Sequence, residues 1–105
     1  MINVFEIRKI ETKLNELTEE IGGIDLLILS SGIGDINAEL NFEIEKRTIE
    51  TNVLGFTCVS DWAFNYFEKQ KFGHLVAISS IAGIRGNRQA TSYNATKAYQ
   101  INYLE

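Results

Sequence analysis

Apolar residues recur at helical spacing in two long stretches of this chain and run unbroken in two short ones. Ile7, Ile10, Leu14, Leu17 and Ile21 form one stripe and predict a first helix. Asn3 and Glu6 have capping-box spacing at its start, and Gly22 with Gly23 supplies its stop. The run Asp25-Leu-Leu-Ile-Leu29 follows and ends in Ser30-Ser31-Gly32-Ile33-Gly34. It predicts a strand buried on both faces, with a small-residue loop beyond it. A second helix is predicted from about Asn41 to Gln70, with Glu43 and Glu45 suiting its positive end. Ile49, Val53, Phe56, Ala63, Phe64 and Phe67 give it an apolar face, which Asn52 and Gly55 interrupt. Those two are either a tolerated polar residue and a close-packing glycine, or a local kink that turns Asn52 toward a site. Gly73 then precedes a second apolar strand, Leu75-Val-Ala-Ile78, followed by Ser79-Ser80-Ile-Ala-Gly83. A loop carrying Arg85, Gly86 and Arg88 leads into a last helix from about Ser92.

Helix–strand–helix–strand–helix at this spacing predicts an α/β fold with a parallel sheet and a right-handed crossover. In open sheets of this kind, ligands bind beyond the carboxyl ends of the strands. The loops 30–34 and 79–83 are therefore expected side by side at one rim.

The most informative residues lie in the last helix. Tyr93 and Lys97 stand four apart and so share a helical face. An ammonium beside a phenol favours the phenolate, which makes tyrosine usable as an acid/base group near neutral pH. Ser79 and Ser80 close the second strand, fourteen and thirteen residues before Tyr93. Alone, Tyr-x-x-x-Lys reads as a solvated helix face; the serines and Asn52 sharpen it.

Composition narrows the alternatives. With 105 residues, 45% hydrophobic and 23% charged, the chain reads as one soluble domain at most, or a piece of one. No apolar run approaches a membrane span, and no signal peptide is recognisable. A net charge of −4 speaks against nucleic acid or an anionic membrane as partner. The single cysteine, Cys58, excludes an internal disulfide and fits a reducing, cytoplasmic setting; its apolar surroundings predict a buried, inert thiol. The single histidine, His74, opens a strand without a ligand cluster, so no metal site is expected.

With these motifs in view, the chain resembles the short-chain dehydrogenase/reductase family of NAD(P)-dependent oxidoreductases. DLLILSSGIG at 25–34 resembles the family's fourth strand and the loop on the adenine side of the cofactor. Asn52-Val-Leu-Gly55, Ile78-Ser-Ser-Ile-Ala-Gly83 and Tyr93-Asn-Ala-Thr-Lys97 match its Asn-x-x-Gly, serine and Tyr-x-x-x-Lys motifs in order. The resemblance implies a Rossmann-type doubly wound parallel sheet, incomplete at both ends, with residues 1–105 forming a central fragment of the domain. It also implies hydride transfer between NAD or NADP and a carbonyl or alcohol substrate. Tyr93 would be the acid/base, and Lys97 would promote its ionisation and bond the ribose on the nicotinamide side. Ser80, chosen over Ser79 by the family's spacing, would hold the substrate oxygen. Asn52 would help hold a water linking Lys97 to solvent. Ser30 and Gly32, with Tyr93 and Lys97, would contact the cofactor.

Two departures accompany the resemblance. The family usually has Asn-Asn-Ala-Gly where Leu29-Ser30-Ser31-Gly32 stands, so Gly32 is kept but the paired amides are not. The glycine-rich phosphate loop and the family's last strands find no counterpart in these residues, so the chain alone is expected to be inactive. A homo-oligomer through the helices carrying Asn52 and Tyr93 is implied as well. The competing reading is a non-catalytic interaction module derived from the same fold. A flavodoxin-like nucleotide-binding domain is weaker, since no phosphate loop follows a first strand.

Overall fold

A computed structural model describes residues 4–30, 34, 36–78 and 90–105, the side chains of Val4 and Phe5 apart. In chain order its elements are α1 (Val4–Ile21), β1 (Leu26–Leu29), α2 (Phe42–Ile49), a π-helical turn (Glu50–Gly55), α3 (Phe56–Gln70), β2 (His74–Ala77) and α4 (Thr91–Leu104). The predicted order of helices and strands is therefore present. Asn3, proposed as the first cap, lies outside the described residues.

Local chemistry explains where the elements stop and start. After α1, Gly22 N–H bonds Glu19 O at 3.3 Å and Gly23 N–H bonds Thr18 O at 2.8 Å. This crossed pair is a Schellman stop, and the φ values of 85° and 111° at these glycines are why side-chain-free residues stand there. Asn41 caps α2, its side-chain oxygen accepting from Glu43 N–H at 3.0 Å. Lys71, with φ 73°, ends α3, and its N–H bonds Phe67 O at 2.8 Å. Gly73 follows because a Cβ there would come within 2.1 Å of the Phe67 ring.

β1 and β2 pair in parallel, with Leu26 opposite His74 and Leu29 opposite Ala77. Ladder bonds from His74 N–H to Asp25 O and from Ile78 N–H to Leu29 O, both 2.9 Å, extend the pairing. The apolar core among the described residues runs along α3, where Phe56, Ala63 and Phe67 are buried and α1 packs alongside. Trp62 stacks on Tyr66 and donates through Nε1 to Asn15 of α1 at 2.9 Å. The molecule is a slab of 46 × 28 × 17 Å, with a radius of gyration of 15.0 Å. A compact chain of this length would measure ~13 Å.

That flatness corrects three expectations. Neither strand is buried on both faces: Leu26, Ile28, Val76 and Ile78 are exposed on one side of the sheet. Leu17, Ile21, Ile49 and Phe64, expected in helix cores, are exposed too, because no described layer faces them. Cys58, expected to be buried, is only partly so; its thiol is pushed up by desolvation, then by the charges of Glu11 and Asp61, which disfavours the reactive thiolate.

Candidate functional site

The second helix is interrupted where Asn52 and Gly55 break its apolar face: residues Glu50–Gly55 form a π turn. Among the described residues a Cβ on Gly55 would meet Glu50 O at an ordinary 3.6 Å. The interruption itself takes the form of a π turn, and π turns of this kind often accompany functional sites. It carries the Asn52 side chain into a fully buried position against α4, where Nδ2 donates to Thr96 Oγ1 at 3.0 Å.

α4 presents a buried polar face to the π turn. Asn94, Thr96, Lys97 and Gln100 are all buried. Thr96 Oγ1 donates back to Tyr93 O at 2.9 Å, and Gln100 Nε2 donates to the main-chain oxygen of Asn52 at 2.9 Å. The Lys97 ammonium donates to Gln100 Oε1 at 3.2 Å and lies 5.9 Å from the centroid of the Tyr93 ring. Tyr93, Lys97 and Asn52 are thus brought together, with Asn52 joined to Lys97 through Gln100.

Gly34 reaches the same helix. A Cβ on Gly34 would fall 2.2 Å from Cδ1 of Tyr93, so backbone and ring are in direct contact and only glycine fits. The Tyr93 ring thus packs against the backbone of Gly34, five residues beyond β1 in the sequence. Ser30 is exposed just past β1. Ser80 and Gly32 lie outside the described residues.

Glu45 fixes the start of α4. Ala90, at the cap position, has no side chain able to bond the helix N-terminus. The Glu45 carboxylate on α2 takes that task, holding Ser92 by hydroxyl and backbone N–H, Asn37 Nδ2 at 2.8 Å and Thr91 Oγ1 at 3.0 Å. The Ser92 hydroxyl first, with Asn37, Thr91 and the Ser92 backbone, lowers the Glu45 carboxyl from its ordinary range against opposing desolvation. Asn37 completes the brace, donating to Asn41 O and accepting from Asn41 N–H, each at 2.9 Å. Further along α4, Tyr99 bonds Thr57 at 2.6 Å and stacks on Tyr103, whose hydroxyl donates to Asp61.

Thr96, Gln100 and Glu45 are the residues that sequence reasoning missed. Gln100 had a readable signal, since it stands seven residues from Tyr93 and three from Lys97, on their helical face. Glu45 had none, because its partners lie across a tertiary contact. Among the described residues no group of three His, Cys, Asp or Glu could hold a metal, and no helix is long and apolar enough to cross a membrane.

Comparison with known proteins places this geometry in a family. The family model described as short chain dehydrogenase matches residues 2–104. A Myxococcus xanthus protein named an uncharacterized oxidoreductase is 35% identical over 95 residues, covering 89% of this chain and 38% of its own. A Vibrio cholerae 3-oxoacyl-[acyl-carrier-protein] reductase is 29% identical over 106 residues, covering 99% and 43% respectively. The chain thus spans about two fifths of the length of the curated relatives it matches. Among solved structures, the crystal structure of gox2181 superposes with a TM-score of 0.82 at 25% identity, over 97% of this chain and 42% of that one. A 4-hydroxyisoleucine dehydrogenase complexed with NADH superposes with a TM-score of 0.81 at 24% identity, over 97% and 46%. Two parallel strands with flanking helices are the corresponding part of that Rossmann-type fold. The chain belongs to the short-chain dehydrogenase family.

Proposed function

We propose that residues 1–105 are the central part of an NAD(P)-dependent oxidoreductase acting on a carbonyl or alcohol, with Tyr93 as its acid/base group. The observation that carries this reading is the buried Lys97 ammonium, 5.9 Å from the Tyr93 ring centroid and joined through Gln100 to Asn52. Relatives named as oxidoreductases and a 3-oxoacyl reductase support the reaction class. A fold neighbour complexed with NADH is consistent with the cofactor.

The residues suit a nicotinamide dinucleotide. Lys97 is 95% buried and makes one hydrogen bond among the described residues, so two of its three donors are available for ribose hydroxyls. When bound, the nicotinamide supplies or accepts the hydride. Tyr93 gives its phenolic proton to the carbonyl oxygen in reduction and takes the hydroxyl proton in oxidation. Lys97 stabilises the phenolate that results and holds the ribose. Ser80 bonds the substrate oxygen as charge grows on it. Asn52 holds the relay from Lys97 toward solvent, and Ser30 and Gly32 line the adenine side. Self-association through the helices of Asn52 and Tyr93 belongs to the same reading, supported by exposed Ile49, Leu54 and Phe64.

The test is Tyr93→Phe in the full-length enzyme, which keeps the ring and removes the proton. Turnover is expected to fall by at least ~10²-fold. More than a tenth of wild-type turnover would refute the assignment.

A further inference from the structure

We propose that Gln100 is a positioning residue, an amide bridge that holds the Lys97 ammonium in place from the main-chain carbonyl of Asn52. The proposal deepens the reading of Lys97 as the ribose-binding cation and rests on it. An ammonium only donates and a carbonyl only accepts, so the amide can satisfy both in one orientation. Oε1 faces Lys97 Nζ at 3.2 Å, and Nε2 faces Asn52 O at 2.9 Å.

Burial gives the bridge its force. Gln100 is 2% exposed and Lys97 is 5% exposed, so water is a poor substitute for either partner. Asn52 O belongs to the π turn, and its two lone pairs let it accept from Gln100 beside any helical bond. The kink in one helix thereby sets the position of the charge on the other. A neutral amide also suits the task better than a carboxylate. It accepts from the cation without neutralising its charge. An apolar residue of similar size would deprive the buried ammonium of its bond to Gln100 Oε1.

A double-mutant cycle tests the bridge in the full-length protein, read by fluorescence titration with NADH and with NADPH. Lys97→Met removes the cation, Gln100→Leu removes the bridge, and the double variant removes both. For the preferred nucleotide, Gln100→Leu is expected to weaken binding by about tenfold or more, the loss of one charge-assisted hydrogen bond. The double variant is expected to bind within about twofold of Lys97→Met alone, since a bridge acting through Lys97 has nothing left to lose. If the Gln100 penalty adds in full on top of Lys97→Met, or if Gln100→Leu binds like wild type, the proposal is overturned. Lys97→Met binding like wild type would instead overturn the underlying reading, and the proposal with it. Gln100→Met replaces the leucine variant if the latter does not fold. Failure of both to fold would show a purely structural tie and overturn the proposal.

Discussion

Asn52, Thr96, Lys97 and Gln100 are 0–5% exposed although all four are polar, whereas Leu26, Ile28, Val76 and Ile78 are 42–56% exposed although all four are apolar. The first group is closed because its members bond one another: Asn52 with Thr96, Gln100 with both Lys97 and Asn52. Buried polar groups joined in this way cost little, and they specify one arrangement of α4 against the π turn. The second group is open because one face of the two-stranded sheet has no described layer against it. Contiguous exposed apolar surface of this kind is a surface awaiting cover. The difference teaches that one part of this molecule is satisfied by its own hydrogen bonds, whereas the other presents its apolar side chains to solvent.

The sharpest way to break that comparison is Asn52→Leu. It deletes the amide that bonds Thr96 inside a dry contact, so unfolding stability should drop by about 1–3 kcal/mol. Urea denaturation checks it, and a loss under half a kilocalorie would mean the polar contact is not holding the helices. Gly34→Ala should come next. The new methyl would meet the Tyr93 ring, so a cost of about 1–3 kcal/mol is expected along with a displaced Tyr93, visible in its aromatic NMR shifts.

The open sheet face is probed by Val76→Thr, measured twice. In the 105-residue chain the change should be worth under ~0.5 kcal/mol, as for other exposed sites. In the full-length protein it should cost more than ~1 kcal/mol, because a second layer would then bury that hydroxyl. Equal effects in both would show that the face stays open. Light scattering of the 105-residue chain should likewise report self-association, with no tight NAD(P) binding in a parallel titration. A compact monomer with micromolar affinity would refute the central-fragment reading.

The smallest effects are in pH. Glu45 has a lowered folded-state pKa, so its brace contributes stability above the unfolded value of 4.5 and loses it as pH falls through the lower folded value. Glu45→Gln should therefore lower the melting temperature at neutral pH and flatten the acid limb of the profile, so that the two proteins converge as pH falls through the folded value. Tyr103 behaves with the opposite sign. Its hydrogen bond to Asp61, then burial, then the charge of Asp61 and the neighbouring Tyr99, push its phenol up to about 12. That contribution is present below the usual 10 and is lost as pH climbs toward 12. Tyr103→Phe should therefore melt with a weaker pH dependence across that interval.

Periodicity made the elements legible, and the break at Asn52 and Gly55 marked the place of the π turn, although the pattern left a kink and two tolerated residues equally open. Tyr93 and Lys97 were legible through their spacing. Thr96 was not, since a polar residue on a helix reads as solvated unless something shows what covers it, and Gln100 was passed over for the same reason although its spacing put it on their face. Ile49 and Phe64 misled for the mirror reason: an apolar side chain records a preference for burial, and the partner that would satisfy it need not be in the same stretch of chain. Glu45 was credited only with suiting a helix dipole; its hold on Thr91 and Ser92 spans 46 and 47 residues and leaves no local trace.

The π turn has a consequence for inheritance. An α-helix advances about 100° per residue, so a helix carrying one extra residue in a turn is out of phase with an uninterrupted one. Phe56, Ala63 and Phe67 meet the core only in the phase that the turn at Glu50–Gly55 leaves them. Substitutions within the turn can drift, but deletion of a single codon there would rotate the whole of α3 away from its core. Among descendants of this gene, the length of that stretch should be guarded more strictly than its composition.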